Sequence, residues 1–302
     1  MARVTRTLVT GAAGFTGRYL TSLLAGRGHE VHGVVHHDPD EPVRDAGALH
    51  LADLADRNAI LRVVEQVRPE CVVHLAAIAF VGHDDIDEMY RANVVGTRQL
   101  LDVLAGLDSA PRSIIVASSA NVYGNTRSGV LDEAMLPAPA NDYGVSKVAA
   151  EYVGRLYADR LPLITTRPFN YTGRGQAEHF LIPKIIAHAR RRAPVIELGN
   201  LDVARDFSDV RTVVDAYARL LDCPAAIGGT FNICSGRAVT LRDILDLVAS
   251  LNGHRPEVRV NPALVRADEV KTLSGSSAKL EAAIGKLDGI DLAETLRWML
   301  DD

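Results

Sequence analysis

The chain has 302 residues, of which 47% are hydrophobic and 24% are charged, and its formal net charge is −5. This length suits one large domain or two unequal domains with a substantial core. The acidity is mild and dispersed and gives no basic patch of the kind that binds nucleic acid, so we expect no nucleic-acid partner.

Cysteine content and apolar runs narrow the class of protein further. Cys71, Cys223 and Cys234 are odd in number, far apart and not in a metal-binding spacing. We interpret them as packing residues in a reducing compartment. The first predicted strand begins within a few residues of the start, and no apolar run is long enough to cross a bilayer. We therefore expect a cytoplasmic protein with no signal peptide and no membrane segment.

Apolar strands and helical patterns alternate through the first half of the chain. Strands that are apolar almost throughout, separated by helices, are typical of a parallel sheet covered on both faces. The predicted strands are residues 7–10, 31–35, 71–75, 113–117 and 163–166, and the predicted helices run from Gly14 to Gly26 or Gly28 and over residues 57–67, 84–105 and 142–159.

The regular alternation of strands and helices ends after Arg167, where glycine and proline become frequent. Helices are still predicted over residues 210–221 and 241–251, with a strand at 230–234 between them. We therefore predict an α/β protein with two parts. Residues 1–168 form a doubly wound parallel sheet, and residues 169–302 form a smaller α/β substrate domain whose segment 202–235 returns to the first sheet.

The first strand is followed by a glycine-rich turn that opens the first helix. It comprises Gly11, Gly14, Phe15, Thr16 and Gly17 within Gly-Ala-Ala-Gly-Phe-Thr-Gly. Small residues here let backbone N–H groups approach a pyrophosphate, and the helix N-terminus favours its negative charge. The pattern predicts a dinucleotide site in a Rossmann-type sheet, and a tight turn without a ligand is the structural alternative.

The end of the second strand indicates which cofactor is bound. An acidic residue that would hold an NAD ribose is absent at Val35 and His36. His36 and His37 instead offer hydrogen-bonding groups where a 2′-phosphate would lie, which favours NADP(H). Asp38 lies close by and leaves NAD(H) open, and solvated loop histidines are the structural alternative. We expect no metal site, because no third ligand is suggested nearby.

Tyr143 and Lys147 are the candidate acid–base pair. They are four residues apart in a predicted helix and so share one face. A nearby ammonium favours the phenolate form, which lowers the phenol pKa and suits Tyr143 to proton transfer. The spacing alone also occurs by chance in surface helices, so the interpretation depends on the glycine turn.

Further motifs accompany these two features: Asp53-Leu54, His74-Leu75-Ala76-Ala77, Asn93 in Asn93-Val94-Val95-Gly96-Thr97, Ser118-Ser119-Ala120-Asn121-Val122-Tyr123-Gly124, and Arg167-Pro168-Phe169-Asn170. Together they resemble the extended short-chain dehydrogenase/reductase family, in the NAD-dependent epimerase/dehydratase group that acts on nucleotide sugars. The resemblance covers nearly the whole chain. It implies Ser119 as the third catalytic residue, beside Tyr143 and Lys147, and cofactor contacts by Asp53, Leu54, Leu75, Ala76, Ala77, Asn93, Tyr143, Lys147, Arg167 and Pro168. His74 is in an apolar strand and is expected to be a satisfied core histidine.

The same resemblance narrows the reaction. The family's 4,6-dehydratases carry an acid at the position of Asn121, and its epimerase-reductases that make GDP-fucose carry a cysteine there. Asn121 has no titratable group, and without a second acid–base group a carbon acid is hard to deprotonate. The implied chemistry is hydride transfer at one carbon, by a 4-ketoreductase or a 4-epimerase.

The second half resembles the GDP-mannose dehydratase and GDP-6-deoxy-4-keto-mannose reductase branch, with patterns that favour the reductase. Arg205 matches a diphosphate-binding arginine and Arg266 a second, and a salt bridge with Asp206 or Asp209 is the alternative role for Arg205. The substrate contacts implied are Ser119, Asn121, Asn170, His179, Arg205 and Arg266, with His179 standing where many relatives have asparagine.

These observations predict an NAD(P)H-dependent reductase of the C4 keto group of a nucleotide-linked 4-keto-6-deoxy sugar, most simply GDP-linked. A 4-epimerase with retained NAD is the alternative, followed by a 4,6-dehydratase or a non-catalytic dinucleotide-sensing protein. The resemblance also implies a homodimer formed through the helices predicted at 84–105 and 142–159.

Overall fold

The computed structural model describes residues 4–80, 82–125, 129–265 and 271–301. The strands are β1 (Thr5–Thr10), β2 (His29–Val35), β3 (Ala48–Leu51), β4 (Cys71–His74), β5 (Ser113–Ala117), β6 (Gly129–Leu131), β7 (Leu163–Pro168), β8 (Asn170–Thr172), β9 (Val195–Leu198), β10 (Ala204–Asp209), β11 (Thr230–Ile233), β12 (Ala238–Thr240), β13 (Glu257–Val260) and β14 (Thr272–Gly275). The α-helices are α1 (Phe15–Gly26), α2 (Arg57–Val67), α3 (Ile86–Tyr90), α4 (Gly96–Ala105), α5 (Asp142–Arg155), α6 (Leu181–Arg190), α7 (Val210–Leu221), α8 (Leu241–Asn252), α9 (Ala278–Ile284) and α10 (Leu292–Leu300).

The main sheet has seven strands in the order β11-β7-β5-β4-β1-β2-β3. Every neighbouring pair in it is parallel. The predicted α/β class with a parallel central sheet is therefore confirmed. The edge strand β11 comes from far along the chain and pairs in register with β7, from Thr230 opposite Thr165 to Ile233 opposite Pro168.

Both faces of this sheet are buried, which explains why its strands are apolar almost throughout. Successive residues of a strand point to opposite faces. Leu8 and Ile114 pack into the core beneath α2 and α4, whereas Val9 and Ile115 pack with α1 and α7. The sheet thus fixes β1, β4 and β5 side by side between two helical layers.

The second half of the chain supplies most of two further sheets and a core of its own, while β6 joins one of these sheets from the first half. One sheet runs β12-β10-β14-β6, with β8 also pairing with β10, and a two-stranded sheet joins β9 to β13. The apolar core of this region contains Ile182, Ile185, Ile244, Leu296 and Met299 from α6, α8 and α10. β8 follows β7 directly, so this second sheet is anchored beside the end of the main one.

Some elements differ from the sequence-based expectation. The helix predicted over 84–105 is interrupted, because the π-helical segment Arg91–Val95 separates α3 from α4. The helix predicted over 142–159 ends at Arg155. Cys71 and Cys234 are buried and Cys223 partly so, all as free thiols. Among the described residues, no helix combines the length and apolar character needed to span a bilayer.

Candidate active site

The predicted site residues converge where β1, β4 and β5 end. These strands are neighbours and parallel, so their carboxyl ends lie along one edge of the sheet. Ligands of doubly wound sheets bind in the crevice outside this edge. The glycine turn follows β1, the loop starting at Leu75 follows β4, and Ser119 follows β5.

The glycine turn is packed too tightly for side chains at two of its positions. Gly11 has a φ of +72°, and a Cβ there would lie 2.9 Å from the backbone N and Cα of Ala76. A Cβ on Gly17 would lie 2.1 Å from the Gly11 carbonyl oxygen. Glycine at Gly11 also tolerates the left-handed backbone that L side chains rarely adopt. The sequence therefore fixes a turn that lies directly against the loop after β4.

The N-terminus of α1 is suited to a phosphate. Gly14 is its extended N-cap residue, no described side chain caps this end, and the first turn has no acidic residue. Uncapped N–H groups and the helix dipole both favour an anion. The cradle left by the glycines and the chemistry of these donors fit the pyrophosphate of a dinucleotide.

Phe15 and Thr16 of the turn direct their side chains toward the second half of the chain. The Thr16 hydroxyl lies 2.8 Å from the Tyr171 hydroxyl. The Phe15 and Tyr171 rings stack with centroids 6.1 Å apart. Any contact of these two residues with a dinucleotide would therefore come mainly from their backbone N–H groups, while their side chains join the turn to β8.

The residues predicted to select the cofactor lie exposed beside this turn. His36 and His37 follow β2, with their rings perpendicular and 6.2 Å apart. Asp53 is partly buried, accepts a hydrogen bond from the Ala55 backbone N–H at 2.8 Å and lies 3.7 Å from the Arg91 guanidinium. Leu54 packs against Gly96: a Cβ added at Gly96 would lie 3.0 Å from the Leu54 Cβ.

The loop after β4 is held rigidly. Leu75 and Ala76 donate their N–H groups to the backbone oxygen and the hydroxyl of Thr10, and Ala77 is partly buried. Asn93 lies in the π-helical segment and exchanges hydrogen bonds with the Ile78 backbone N–H (2.8 Å) and carbonyl (3.0 Å). Its amide also donates to Ser146 on α5 at 3.0 Å. Asn93 thus ties this loop to the helix that carries Tyr143.

His74 is satisfied within the core, as the sequence predicted. Its ring nitrogens lie 2.7 Å from the Thr10 hydroxyl and 2.8 Å from the Thr97 hydroxyl. Burial, and secondarily the charge of Lys147, lowers its pKa to about 3. His74 is therefore neutral at physiological pH and orients its two neighbours.

Tyr143 and Lys147 lie on the buried face of α5, with exposed fractions of only 7% and 5%. Asn141 caps this helix by accepting from the Gly144 N–H at 2.8 Å. Lys147 Nζ lies 6.0 Å from the Tyr143 ring centroid and donates to the Ala117 carbonyl at 2.9 Å. The pair therefore lies at the end of β5 and not on the outer surface.

Ser119 completes the cluster. It accepts two hydrogen bonds at 3.1 Å from Asn121, one from the backbone N–H and one from the side-chain amide. The expectation that Lys147 lowers the pKa of Tyr143 is wrong for the protein without ligand: burial raises that pKa above its ordinary value, and a hydrogen bond with Ser119 only partly offsets the rise. The structure therefore brings Ser119, Asn121, Tyr143 and Lys147 together.

Burial also changes the protonation of Lys147. Loss of solvation lowers its pKa to about 8, and the nearby Glu151 carboxylate opposes that change. Lys147 is therefore still mainly an ammonium ion at pH 7, but it loses its proton at a lower pH than an ordinary lysine.

The predicted substrate residues are more scattered. Asn170 is exposed at the start of β8 and donates to the Asp206 carbonyl at 3.2 Å. Arg205 lies on the adjacent β10 and donates to the Ala204 carbonyl at 2.9 Å. His179 is exposed just before α6, with its ring 4.5 Å from that of Phe80. Arg266 lies outside the described residues.

The two acids considered as partners for Arg205 are engaged elsewhere. Asp206 is fully buried and accepts from the backbone N–H groups of Ser235, Gly236 and Gly275. Asp209 caps α7 and pairs with Arg211 at 2.7 Å. These contacts favour structural roles for both acids.

Sequence reasoning missed a buried polar network behind Lys147. Arg167 is 3% exposed and its guanidinium forms two hydrogen bonds with Glu151, at 2.9 and 2.7 Å, and one with the Tyr123 hydroxyl at 3.1 Å. A cofactor contact by Arg167 would therefore fall to its backbone, next to Pro168. The four-residue spacing from Lys147 to Glu151 was the available signal.

Comparisons with known proteins agree with this architecture. The model of the NAD dependent epimerase/dehydratase family matches residues 7–234. The GDP-6-deoxy-D-talose 4-dehydrogenase of Aggregatibacter actinomycetemcomitans is 33% identical over 92% of this chain and 90% of its own length. The GDP-6-deoxy-D-mannose reductase of Pseudomonas aeruginosa is 31% identical over 98% of this chain and 96% of its own.

Solved structures give the same result. A Burkholderia cenocepacia protein described as a candidate epimerase is 49% identical and superposes with a TM-score of 0.93 over 98% of this chain and 97% of its own. The NADPH complex of RMD from Pseudomonas aeruginosa is 30% identical, with a TM-score of 0.84 over 99% of this chain and 97% of its own.

Proposed function

The chain belongs to the NAD-dependent epimerase/dehydratase family of the extended short-chain dehydrogenases/reductases, and from that premise we propose that it reduces the C4 keto group of a GDP-linked 4-keto-6-deoxy sugar with NAD(P)H. The observation that carries the proposal is the cluster of Ser119, Tyr143 and Lys147 beside an uncharged Asn121. Relatives named for GDP-6-deoxy sugars, with most of both chains aligned, support the substrate class.

The residues of the chain divide the work of holding the cofactor. Gly11, Gly14 and Gly17 leave room for the pyrophosphate at the α1 N-terminus, and we assign Asp53 and Leu54 to the adenosine by the family resemblance. His36 and His37 supply neutral or cationic donors toward a 2′-phosphate, so we favour NADP(H). When bound, the reduced nicotinamide supplies the hydride.

Proton transfer is the task of Tyr143. The Ser119 hydroxyl donates a hydrogen bond to the carbonyl oxygen of the substrate and so orients it. Tyr143 then releases its proton to that oxygen as negative charge develops on it. Lys147, held by the Ala117 carbonyl at 2.9 Å, presents its ammonium to the nicotinamide ribose and stabilises the phenolate that remains.

The second half of the chain supplies the substrate contacts. Arg205 and Asn170 lie on adjacent paired strands and suit a diphosphate and a sugar hydroxyl, since arginine donates paired hydrogen bonds to phosphate. Phe80, His179 and Phe180 form a cluster of aromatic rings 4.4 to 6.1 Å apart that joins the loop after β4 to α6. We propose that this cluster contacts a bound nucleotide sugar.

We also propose the division into a cofactor domain, residues 1–168, and a substrate domain, residues 169–302, with 202–235 contributing α7 and β11 to the main fold. A homodimer is the favoured assembly. Four apolar side chains on or beside α4 and α5 are between 39% and 71% exposed: Val95, Val145, Tyr152 and Leu156. They lie within the segments 84–105 and 142–159 that the resemblance assigns to the dimer contact.

A 4-epimerase is the second candidate, favoured by the likeness to the Burkholderia cenocepacia protein described as a candidate epimerase. The same three residues would serve it, with NAD retained through turnover. Purified protein carrying NAD and converting substrate without added cofactor would establish this alternative.

The test is direct. Purified protein is incubated with GDP-4-keto-6-deoxymannose and NADPH or NADH, and reduced nicotinamide is followed by its near-ultraviolet absorbance. We expect oxidation of the cofactor and a GDP-6-deoxyhexose product, whose C4 configuration NMR would identify as talo or manno. No cofactor oxidation with either nucleotide would refute the reductase proposal.

A further inference from the structure

Glu151 lies four residues after Lys147 on α5, on the same buried helical face as Tyr143 and Lys147. The side chains of Glu151 and Arg167 are 4% and 3% exposed. Arg167 reaches Glu151 from β7 with both Nε and Nη2, at 2.9 and 2.7 Å. Ser118 donates to the same carboxylate at 2.6 Å. Three donors thus fix the carboxylate in one orientation.

The charges in this region do not balance. Lys147 and Arg167 are two buried cations; Glu151 pairs with Arg167 at 2.7 Å and lies four residues from Lys147 on the buried face of α5. A buried charge is stable only if it is paired and hydrogen-bonded. Lys147 has a carbonyl partner, Ala117, but its nearby negative charge is Glu151.

We propose that Glu151 is a positioning residue that keeps Lys147 in its ammonium form, with Arg167 and Ser118 fixing the carboxylate for that purpose. Lys147 Nζ lies 6.0 Å from the Tyr143 ring centroid, and an ammonium there favours the phenolate that proton transfer leaves. Loss of the Glu151 charge would release the Lys147 proton at lower pH. This deepens the proposed function and rests on it for the role of Lys147.

The other titratable groups around Lys147 do not change their protonation state near pH 8. His74 on β4 has a pKa of about 3 and stays neutral. Tyr143 has its pKa raised by burial and stays protonated without a ligand. Behind Glu151, Tyr123 donates to Asn232 at 2.7 Å and accepts from Arg167. Near pH 8, therefore, Lys147 is the group of this set that titrates.

The lysine content of the chain makes a direct measurement practical. The chain has five lysines, Lys147, Lys184, Lys271, Lys279 and Lys286. Protein labelled with ¹³C at the lysine Cε carbons would give a small set of NMR signals. The Lys147 signal is assigned by its loss in Lys147→Met, and its midpoint is followed by pH titration without substrate or cofactor.

We expect the Lys147 midpoint of the unchanged protein to lie below the ordinary lysine value of 10.5. Glu151→Gln should move it lower still, whereas Ser118→Ala, which removes no charge and leaves both Arg167 hydrogen bonds to hold Glu151, should move it much less. The direction of the change distinguishes a lost charge from a disturbed fold, since a loosened fold would hydrate Lys147 and raise its midpoint. A midpoint in Glu151→Gln at or above that of the unchanged protein would overturn the inference.

Two further measurements complete the test. If Glu151→Gln does not fold, the double variant Glu151→Gln/Arg167→Gln removes both charges of the pair and should still lower the midpoint. Affinity for NADPH, followed by nicotinamide fluorescence, should fall with rising pH at a lower pH in Glu151→Gln than in the unchanged protein. Because the lysine titration needs no substrate, its result is independent of whether the substrate has been identified correctly.

Discussion

Replacement of Gly17 by alanine tests the glycine turn most sharply. The added Cβ would lie 2.1 Å from the Gly11 carbonyl oxygen and 2.7 and 2.8 Å from the Cα and carbonyl oxygen of Ala12. All three are backbone atoms, so no side-chain rotation relieves the contact. The turn itself must move, and with it the amides that would face the pyrophosphate.

The magnitude follows from opposing effects. Overpacking costs about 1–3 kcal/mol, while alanine is favoured over glycine in a helix by about 1 kcal/mol. With three backbone contacts the overpacking is near its upper range, so the free energy of unfolding should fall by about 1–2 kcal/mol. A hydrogen bond to a charged group contributes about 1.5–3 kcal/mol. Loss of one should weaken NADPH binding roughly tenfold to a hundredfold.

The assay is NADPH titration by nicotinamide fluorescence, with urea unfolding of the same samples. Gly26→Ala is the matched control, because it lies in the same helix, roughly 14 Å along its axis, and a Cβ there meets no atom within 4 Å. The control should bind NADPH normally. Normal affinity in Gly17→Ala, or an equal loss in Gly26→Ala, would refute this account of the turn.

Three further substitutions address the acid–base pair, the buried histidine and the aromatic cluster. Tyr143→Phe should lower turnover at least a thousandfold, on the order expected for a lost general acid, with NADPH affinity retained; turnover near that of the unchanged enzyme would remove Tyr143 from its role. Burial depresses the His74 pKa from 6.5 to about 3, so its contribution to stability is present above pH 6.5 and is lost as pH falls toward 3. His74→Gln should therefore reduce the slope of unfolding free energy against pH by about 1.4 kcal/mol per pH unit between those values, measured by urea unfolding, and an unchanged slope would contradict the assignment. Phe80→Ala should raise the KM for the nucleotide sugar severalfold and leave NADPH affinity unchanged, and an unaltered KM would exclude contact by the aromatic cluster.

The sequence predicts six of the seven strands of the main sheet, because their signals are local, and misses the short edge strand β3. β5 is continuously apolar, and α2 and α7 begin after Asp56 and Asp209, whose carboxylates accept from the first N–H groups of each helix. Their predicted and observed bounds agree. Short strands such as β8 and β14 escape prediction because three or four residues carry no periodicity, and their pairing with β10 depends on contacts far along the chain.

The candidate site also has local features that the sequence predicts and long-range contacts that it does not. The spacing of Tyr143 and Lys147 and the glycine pattern are visible in the sequence, since each lies within one helix or one turn. The Glu151–Arg167 pair joins a helix to a strand, and the Thr16–Tyr171 contact joins residues 155 positions apart. No local pattern predicts such contacts. The spacing from Lys147 to Glu151 shows only that they share a helical face. That Arg167 pairs with Glu151 is known only from the structure.

We propose that Asn121 contributes to the choice of reaction through Ser119. A serine hydroxyl has two acceptor lone pairs and one proton. Both hydrogen bonds that Ser119 Oγ accepts come from Asn121, at 3.1 Å each. The Ser119 proton is therefore left to donate to the substrate oxygen that Tyr143 protonates. A carboxylate at this position would accept hydrogen bonds and supply a base for deprotonating carbon. The neutral amide supplies no base and fixes Ser119 as a donor, which is what protonation of a single carbonyl oxygen requires.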